Sequence, residues 1–201
     1  MTQIAIIDYG LGNLRSVIRG LEKAGARAVI TGSAEEIAAA DGLVLPGVGA
    51  FHEGMEQLGV LKPTVVEATR DVPLLGICLG MQMLMETSEE HGIHEGLGLI
   101  PGNVKKFPHV PGYKVPHMGW NSLALEKPDH PLLAGITPGE YVYFVHSFYA
   151  ETTPEFTLTS TDYCCPFASA VCHGNACGVQ FHPEKSGAAG LRMLNNFIGM
   201  I

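Results

Sequence analysis

Pro73-Leu74-Leu75-Gly76-Ile77-Cys78-Leu79-Gly80-Met81-Gln82-Met83-Leu84-Met85 is the stretch whose reading decides the fold. Its first part is a short, continuous apolar run, the pattern of a strand covered on both faces. Its last part, Met81 to Met85, reads as helix. Between them Gly76-Ile77-Cys78-Leu79-Gly80 has a nucleophile flanked by small residues, which permit a sharp strand-to-helix turn. Such an elbow lifts the Cys78 thiol above a sheet and sets it at a helix N-terminus, where the dipole favours thiolate.

Upstream the same rhythm repeats. Gln3–Asp8 is an apolar strand, and Leu11, Leu14, Val17, Ile18 and Leu21 make one helical face ending at Gly25. Arg27–Ile30 can be a strand. Ser33 opens a helix with Glu36 completing a capping box. Gly42–Leu45 is a strand broken by Pro46-Gly47-Val48-Gly49, and helices follow near Ala50–Leu58 and Pro63–Arg70. Strands alternating with helices imply right-handed crossovers and a parallel sheet. From about Leu97 the rhythm changes. Val104–Phe107, Tyr141–Val145, Phe156–Ser160, Phe167–Val171 and Ala176–Phe181 read as strands without helices between them, before a last helix from Ser186 to Ile198. The expected fold is α/β: an open, mostly parallel sheet with helices on both faces, extended by an antiparallel strand region. Residues 1–201 are expected to form a single domain, with Pro108–Pro116 as an exposed loop.

The chain has 201 residues, 12 basic against 20 acidic, for a net charge of −8. That balance argues against a nucleic-acid binder, which would show a basic face. No apolar run approaches the roughly 18 residues of a membrane span, and Met1-Thr2-Gln3 leads straight into strand, so no signal and no membrane anchor is expected. The chain reads as cytoplasmic. Its five cysteines do not suggest a disulfide framework. Cys164, Cys165, Cys172 and Cys177 cluster late with His173 among them, but one pair is adjacent and only the other has a zinc-like spacing. They are expected as small buried residues in strands, with no metal. Tyr9-Gly10-Leu11-Gly12-Asn13 holds a Gly-x-Gly, yet Arg15 stands where a dinucleotide fingerprint needs its third glycine. No Gly-Lys-Ser/Thr follows, so no cofactor is expected.

Acyl transfer by a thiolate needs a base, and the base needs an orienting group. His182-Pro183-Glu184 supplies both at the end of an apolar strand. Residues two apart in extended chain point the same way, so Glu184 can hold the His182 tautomer that accepts the Cys78 proton. An oxyanion hole completes the set, with one donor from the amide of Leu79 and another from the Gly47-Val48-Gly49 turn at a neighbouring strand end.

These parts together resemble the class I, triad-type glutamine amidotransferases. Gly76–Gln82 is similar to the family's nucleophile motif, and Gly178-Val179-Gln180-Phe181-His182-Pro183-Glu184-Lys185-Ser186 to its His/Glu motif. Ile7–Val17, Pro116-His117-Met118-Gly119-Trp120-Asn121 and Tyr143-Phe144-Val145-His146-Ser147 further resemble the glutaminase subunits of imidazole glycerol phosphate synthases. The resemblance spans Ile4 to Asn196. It implies glutamine hydrolysis through a γ-glutamyl thioester. It also implies a partner, a (β/α)₈-barrel cyclase, in a heterodimer where the cyclase receives the ammonia through a channel. Roles follow from it as well: Cys78, His182 and Glu184 as the triad, Val48, Gly47 and Leu79 at the oxyanion hole, and Gln82 and Ser147 on the substrate. Asn13, Trp120, Tyr143, His146 and Lys185 fall where such chains face the cyclase. Phe148 stands where many relatives carry Tyr. The alternatives are the glutaminase of another synthase and a non-catalytic scaffold.

Overall fold

The computed structural model describes residues 3–201. The first half alternates strand and helix: β1 (Gln3–Ile7), α1 (Leu14–Lys23), β2 (Arg27–Thr31), α2 (Ala34–Ala38) and β3 (Gly42–Gly47). Then come α3 (Phe51–Leu58), α4 (Lys62–Ala68), β4 (Leu74–Cys78) and α5 (Leu79–Met83). The second half is strand-rich: β5 (Met85–Ser88), β6 (His94–Glu95), β7 (Ile100–Lys106), β8 (His117–Ser122), β9 (Ala124–Leu125) and β10 (Tyr141–His146). It closes with β11 (Phe148–Glu151), β12 (Thr157–Asp162), β13 (Pro166–His173), β14 (Ala176–Val179) and α6 (Gly187–Ile198).

A 12-stranded sheet runs in the order β2-β1-β3-β4-β14-β13-β11-β7-β5-β6, with β12 on β13 and β9 on β12. β2, β1, β3, β4 and β14 are mutually parallel, and β14-β13-β11-β7 is antiparallel. The expected fold class is therefore what the chain adopts. Alternation along β1 explains the two-faced burial: Ile4 and Ile6 pack with α1 and α6 residues such as Leu21 and Phe197, while Ala5 and Ile7 pack with Ile37, Phe51, Met55 and Val65.

Several expectations are corrected. β3 runs through Pro46 to Gly47, which pairs with Cys78. The helix after the elbow ends at Met83, and Met85 starts a strand. The carbonyls of Met83 and Leu84 accept from Leu97, Leu99 and Ile100, so a crossing segment takes the acceptors that further helix would use. At the α2 entrance Ser33 Oγ caps Glu36 N–H, but the Ser33 amide goes to Thr31 Oγ1, so the box is half formed. Segment 117–122 is a strand absent from the sequence reading, and it takes β10 out of the main sheet into a separate two-stranded one. Cys172 and Cys177 face each other across the β13–β14 hairpin, with Cα atoms 4.0 Å apart, and form a disulfide. A spacing of five is what hairpin register converts into a cross-strand pair. Cys164 and Cys165 lie half-buried in the β12–β13 turn, not in strands.

Candidate active site

Cys78 sits where β4 passes into α5, at φ 55° and ψ −109°, in a region L side chains rarely adopt. Its glycine neighbours make room for this. A Cβ on Gly80 would collide with the Leu45 carbonyl of β3, and one on Gly76 would lie 2.8 Å from the Gly80 carbonyl group. The elbow is thus wedged against both the next strand and its own helix.

His182 leaves the end of β14, beside β4, which brings it to Cys78 despite more than a hundred intervening residues. Its Nδ1–H donates to Glu184 Oε1 at 2.9 Å, and both side chains are buried. Nε2 is buried without a hydrogen-bond partner, as is Glu184 Oε2. Burial pulls the imidazole pKa down, but proximity to the Cys78 thiol and the Glu184 carboxylate outweighs it and raises the value to about 9. With an orienter on Nδ1 and no other partner at Nε2, the ring suits an imidazolium paired with the Cys78 thiolate, the thiol proton already passed to Nε2.

A cavity of about 420 Å³ opens on these groups, lined by Val48, Leu79, Gln82, Glu90, Ser147 and Phe148 together with Cys78 and His182. Val48 and Leu79 border it from the ends of β3 and β4, and Gly47 lies beside them, in register with Cys78. Gln82 is buried, and its Nε2 donates to Phe148 O at 2.9 Å and to Gln180 Oε1 at 3.0 Å. With both amide hydrogens engaged, its carbonyl oxygen is the remaining polar group. Gln180 Nε2 in turn donates to Cys78 Sγ at 3.8 Å. Because Phe148 contributes its backbone carbonyl to Gln82, this contact does not need a side-chain hydroxyl at position 148.

Sequence reasoning missed Glu90 and gave Gln180 no role. Glu90 Oε2 accepts the Phe51 amide at 2.7 Å, which aims a carboxylate at the cavity from what reads as a charged surface segment. Gln180 stands inside the quoted His/Glu motif, and a polar residue in the apolar run Ala176–Phe181 was the available signal; the structure buries it beside the elbow.

The small sheet separates the expected partner residues. On one face Met118 and Trp120 of β8 and Tyr141 of β10 are exposed, and the half-buried Tyr143 ring lies 6.1 Å from that of Trp120. Asn13 and Lys185 are exposed too. His146 falls on the opposite face of β10, where its ring is buried and lines the Cys78 cavity rather than sharing the exposed face of Trp120 and Tyr143. His146 Nδ1–H donates to Phe148 O at 2.8 Å, so its Nε2 accepts from His117 Nδ1–H at 2.9 Å, and His117 Nε2 accepts from Asn121 at 3.3 Å.

The class-I glutamine amidotransferase family model matches residues 5–200. The imidazole glycerol phosphate synthase protein HisH of Methanosarcina mazei is 55% identical over 203 residues, covering 100% of both chains. The Archaeoglobus fulgidus protein of the same name is 48% identical, covering 98% of each. Among solved structures, a GMP synthase component from Thermoplasma acidophilum has a TM-score of 0.76 at 24% identity, covering 100% of this chain and 94% of that one. PurLQS from Thermotoga maritima follows the same fold at TM-score 0.74 and 17% identity, with 98% of each chain covered. The chain belongs to the class-I glutamine amidotransferase family and, within it, to the group of HisH subunits.

Proposed function

We propose that this chain is the glutaminase subunit of an imidazole glycerol phosphate synthase, which hydrolyses glutamine and passes the ammonia to a barrel cyclase. The observation that carries the chemistry is the buried His182, bound to Glu184 through Nδ1 with Nε2 left free beside the strained Cys78. The Cys78 sulfur attacks the side-chain amide carbon of glutamine, and the oxyanion that forms is met by the backbone amides of Leu79 and Val48. His182 gives its proton to the departing nitrogen, so ammonia leaves and a γ-glutamyl thioester remains. Water then loses a proton to His182, attacks the thioester, and releases glutamate and the thiol. The Glu90 carboxylate and the Gln82 carbonyl oxygen are acceptors suited to the α-ammonium, and Ser147 to the α-carboxylate.

The apolar face of Met118, Trp120, Tyr141 and Tyr143 supports docking of the cyclase beside the site, with Asn13 and Lys185 at its border. Among the described residues no helix is long and apolar enough to cross a membrane, and cytoplasmic work with a soluble partner fits that.

The test is ammonia release from glutamine, measured alone and with the barrel cyclase and its ligand. We expect release in the loaded complex and none from Cys78→Ala, while synthesis from added ammonia persists in that variant. Loss of both activities together would exclude Cys78 as the glutaminase nucleophile.

A further inference from the structure

The cross-strand cysteines lie at the far end of the β-structure from Cys78. Cys177 pairs with Leu75, three positions before the elbow, and β14 runs from there toward His182. A third group joins them from another part of the chain. A ring nitrogen of His130 and the sulfurs of Cys172 and Cys177 all lie within 4.8 Å of one another. We propose that Cys172, Cys177 and His130 form a binding site for a thiophilic divalent cation of the zinc class, open when the cysteines are reduced and closed by their disulfide.

The donor set is the borderline-soft one that zinc selects, and a tetrahedral ion with sulfur at about 2.3 Å and nitrogen at about 2.0 Å brings its ligand atoms to under about 4 Å apart. Parting the two sulfurs from bonded to liganded distance needs no new strand register. His130 is held in advance: its amide donates to Lys127 O at 3.0 Å, and its carbonyl accepts from Leu133 at 2.8 Å. The turn after it is pinned by Asn196 of α6, whose Nδ2 donates to Leu132 O and Ala134 O, each at 2.9 Å. Cys177 is fully buried, and the half-buried His130 and the edge of Cys172 give the way in. The sequence pointed to His173 instead, but that ring bonds to Leu99 O and lies outside the cluster.

Two thiols release two protons as the cation binds, and neutral His130 adds a lone pair, leaving the fourth position to water. A small-molecule disulfide reverses this: it takes two electrons from the thiolates and two protons, the Cys172–Cys177 bond forms, two small thiols leave, and the cation is freed. His130 Nδ1 now accepts the Leu132 amide at 3.2 Å, so Nε2 is the nitrogen available. Ligation there moves the ring proton to Nδ1 and takes the acceptor from Leu132.

The experiment is a titration of the phosphine-reduced full chain with Co²⁺, followed by Zn²⁺ competition. We expect a thiolate-to-cobalt charge-transfer band saturating at one cobalt per chain and displaced by zinc. It should be lost in Cys177→Ser, kept in Cys164→Ser and Cys165→Ser, and shifted to roughly tenfold weaker binding or more in His130→Ala. Chain oxidised with a small disulfide, which needs no substitution, should show no band. The Leu132 amide resonance should move on zinc addition. A band absent from reduced chain, persisting in oxidised chain or in Cys177→Ser, or undiminished in His130→Ala, overturns the proposal, as does an unmoved Leu132 resonance.

Discussion

The His182 imidazole owes its raised pKa, about 9, to two neighbours acting against burial, and they can be separated. In Cys78→Ala only Glu184 remains, so an NMR titration of the ring should find the pKa below 9; an unchanged value would mean that the carboxylate alone holds the charge. A folded pKa above the unfolded value of about 6.5 means that this charge stabilises the fold below that pH, and the contribution is lost as pH rises through about 9. Glu184→Gln keeps a group near Nδ1 but removes the charge that stabilises imidazolium. We expect glutamine turnover to fall roughly 10³–10⁴-fold with little change in substrate binding, and a rate near wild type would take Glu184 out of the mechanism. Cys78, His182 and Glu184 were legible because each lies in a short motif whose spacing already implies the chemistry. Glu90 was not, since a carboxylate in a charged loop looks the same whether or not a backbone amide aims it. The inward turn of His146 was not legible for a simpler reason: a motif gives positions, whereas the face of a strand is known only once its partner is known.

The elbow shows what an element demands of residues that carry no chemistry. Gly80→Ala forces a methyl group into the Leu45 carbonyl, backbone against backbone, where no rotamer change relieves it. We expect a loss of about 3 kcal/mol or more in urea unfolding together with loss of glutaminase activity, and near-native stability would show that β3 and α5 can move apart. The parallel half of the sheet was readable from sequence because its strands are continuous apolar runs separated by amphipathic helices. The later half resisted. β5, β6 and β9 have four residues or fewer, too short for any period to show, and β8, His117–Ser122, carries Gly and polar residues because one side faces a histidine pair and the other faces out. α5 was over-extended because methionine and leucine favour helix, while the competing hydrogen bonds came from a segment more than ten residues on.

Across the whole molecule, His117 and His146 couple the fold to acid. Burial lowers their pKa values, to about 4 and about 3, so both stay neutral in the native chain while unfolded imidazoles take up protons below about 6.5. The unfolded state then binds more protons, and stability should fall as pH drops from about 6.5 toward 4, by an amount on the order of a few kcal/mol. Urea midpoints across that window check it: His146→Gln should flatten the slope, and an unchanged slope would place the titration elsewhere. The two-stranded sheet that carries this pair on its inner side has Trp120 and Tyr143 on its outer side. It is tied to the rest of the molecule by the backbone of His182, the proposed base: the His182 amide donates to Tyr143 O at 2.9 Å, and the Tyr143 amide donates to Ser186 Oγ at 3.0 Å, which donates to His182 O at 2.6 Å. The sheet is a lever with its fulcrum at the base. Any tilt applied to its outer face must either stretch these three bonds or carry the imidazole with it, so pressure on the surface is felt as a change in where Nε2 points.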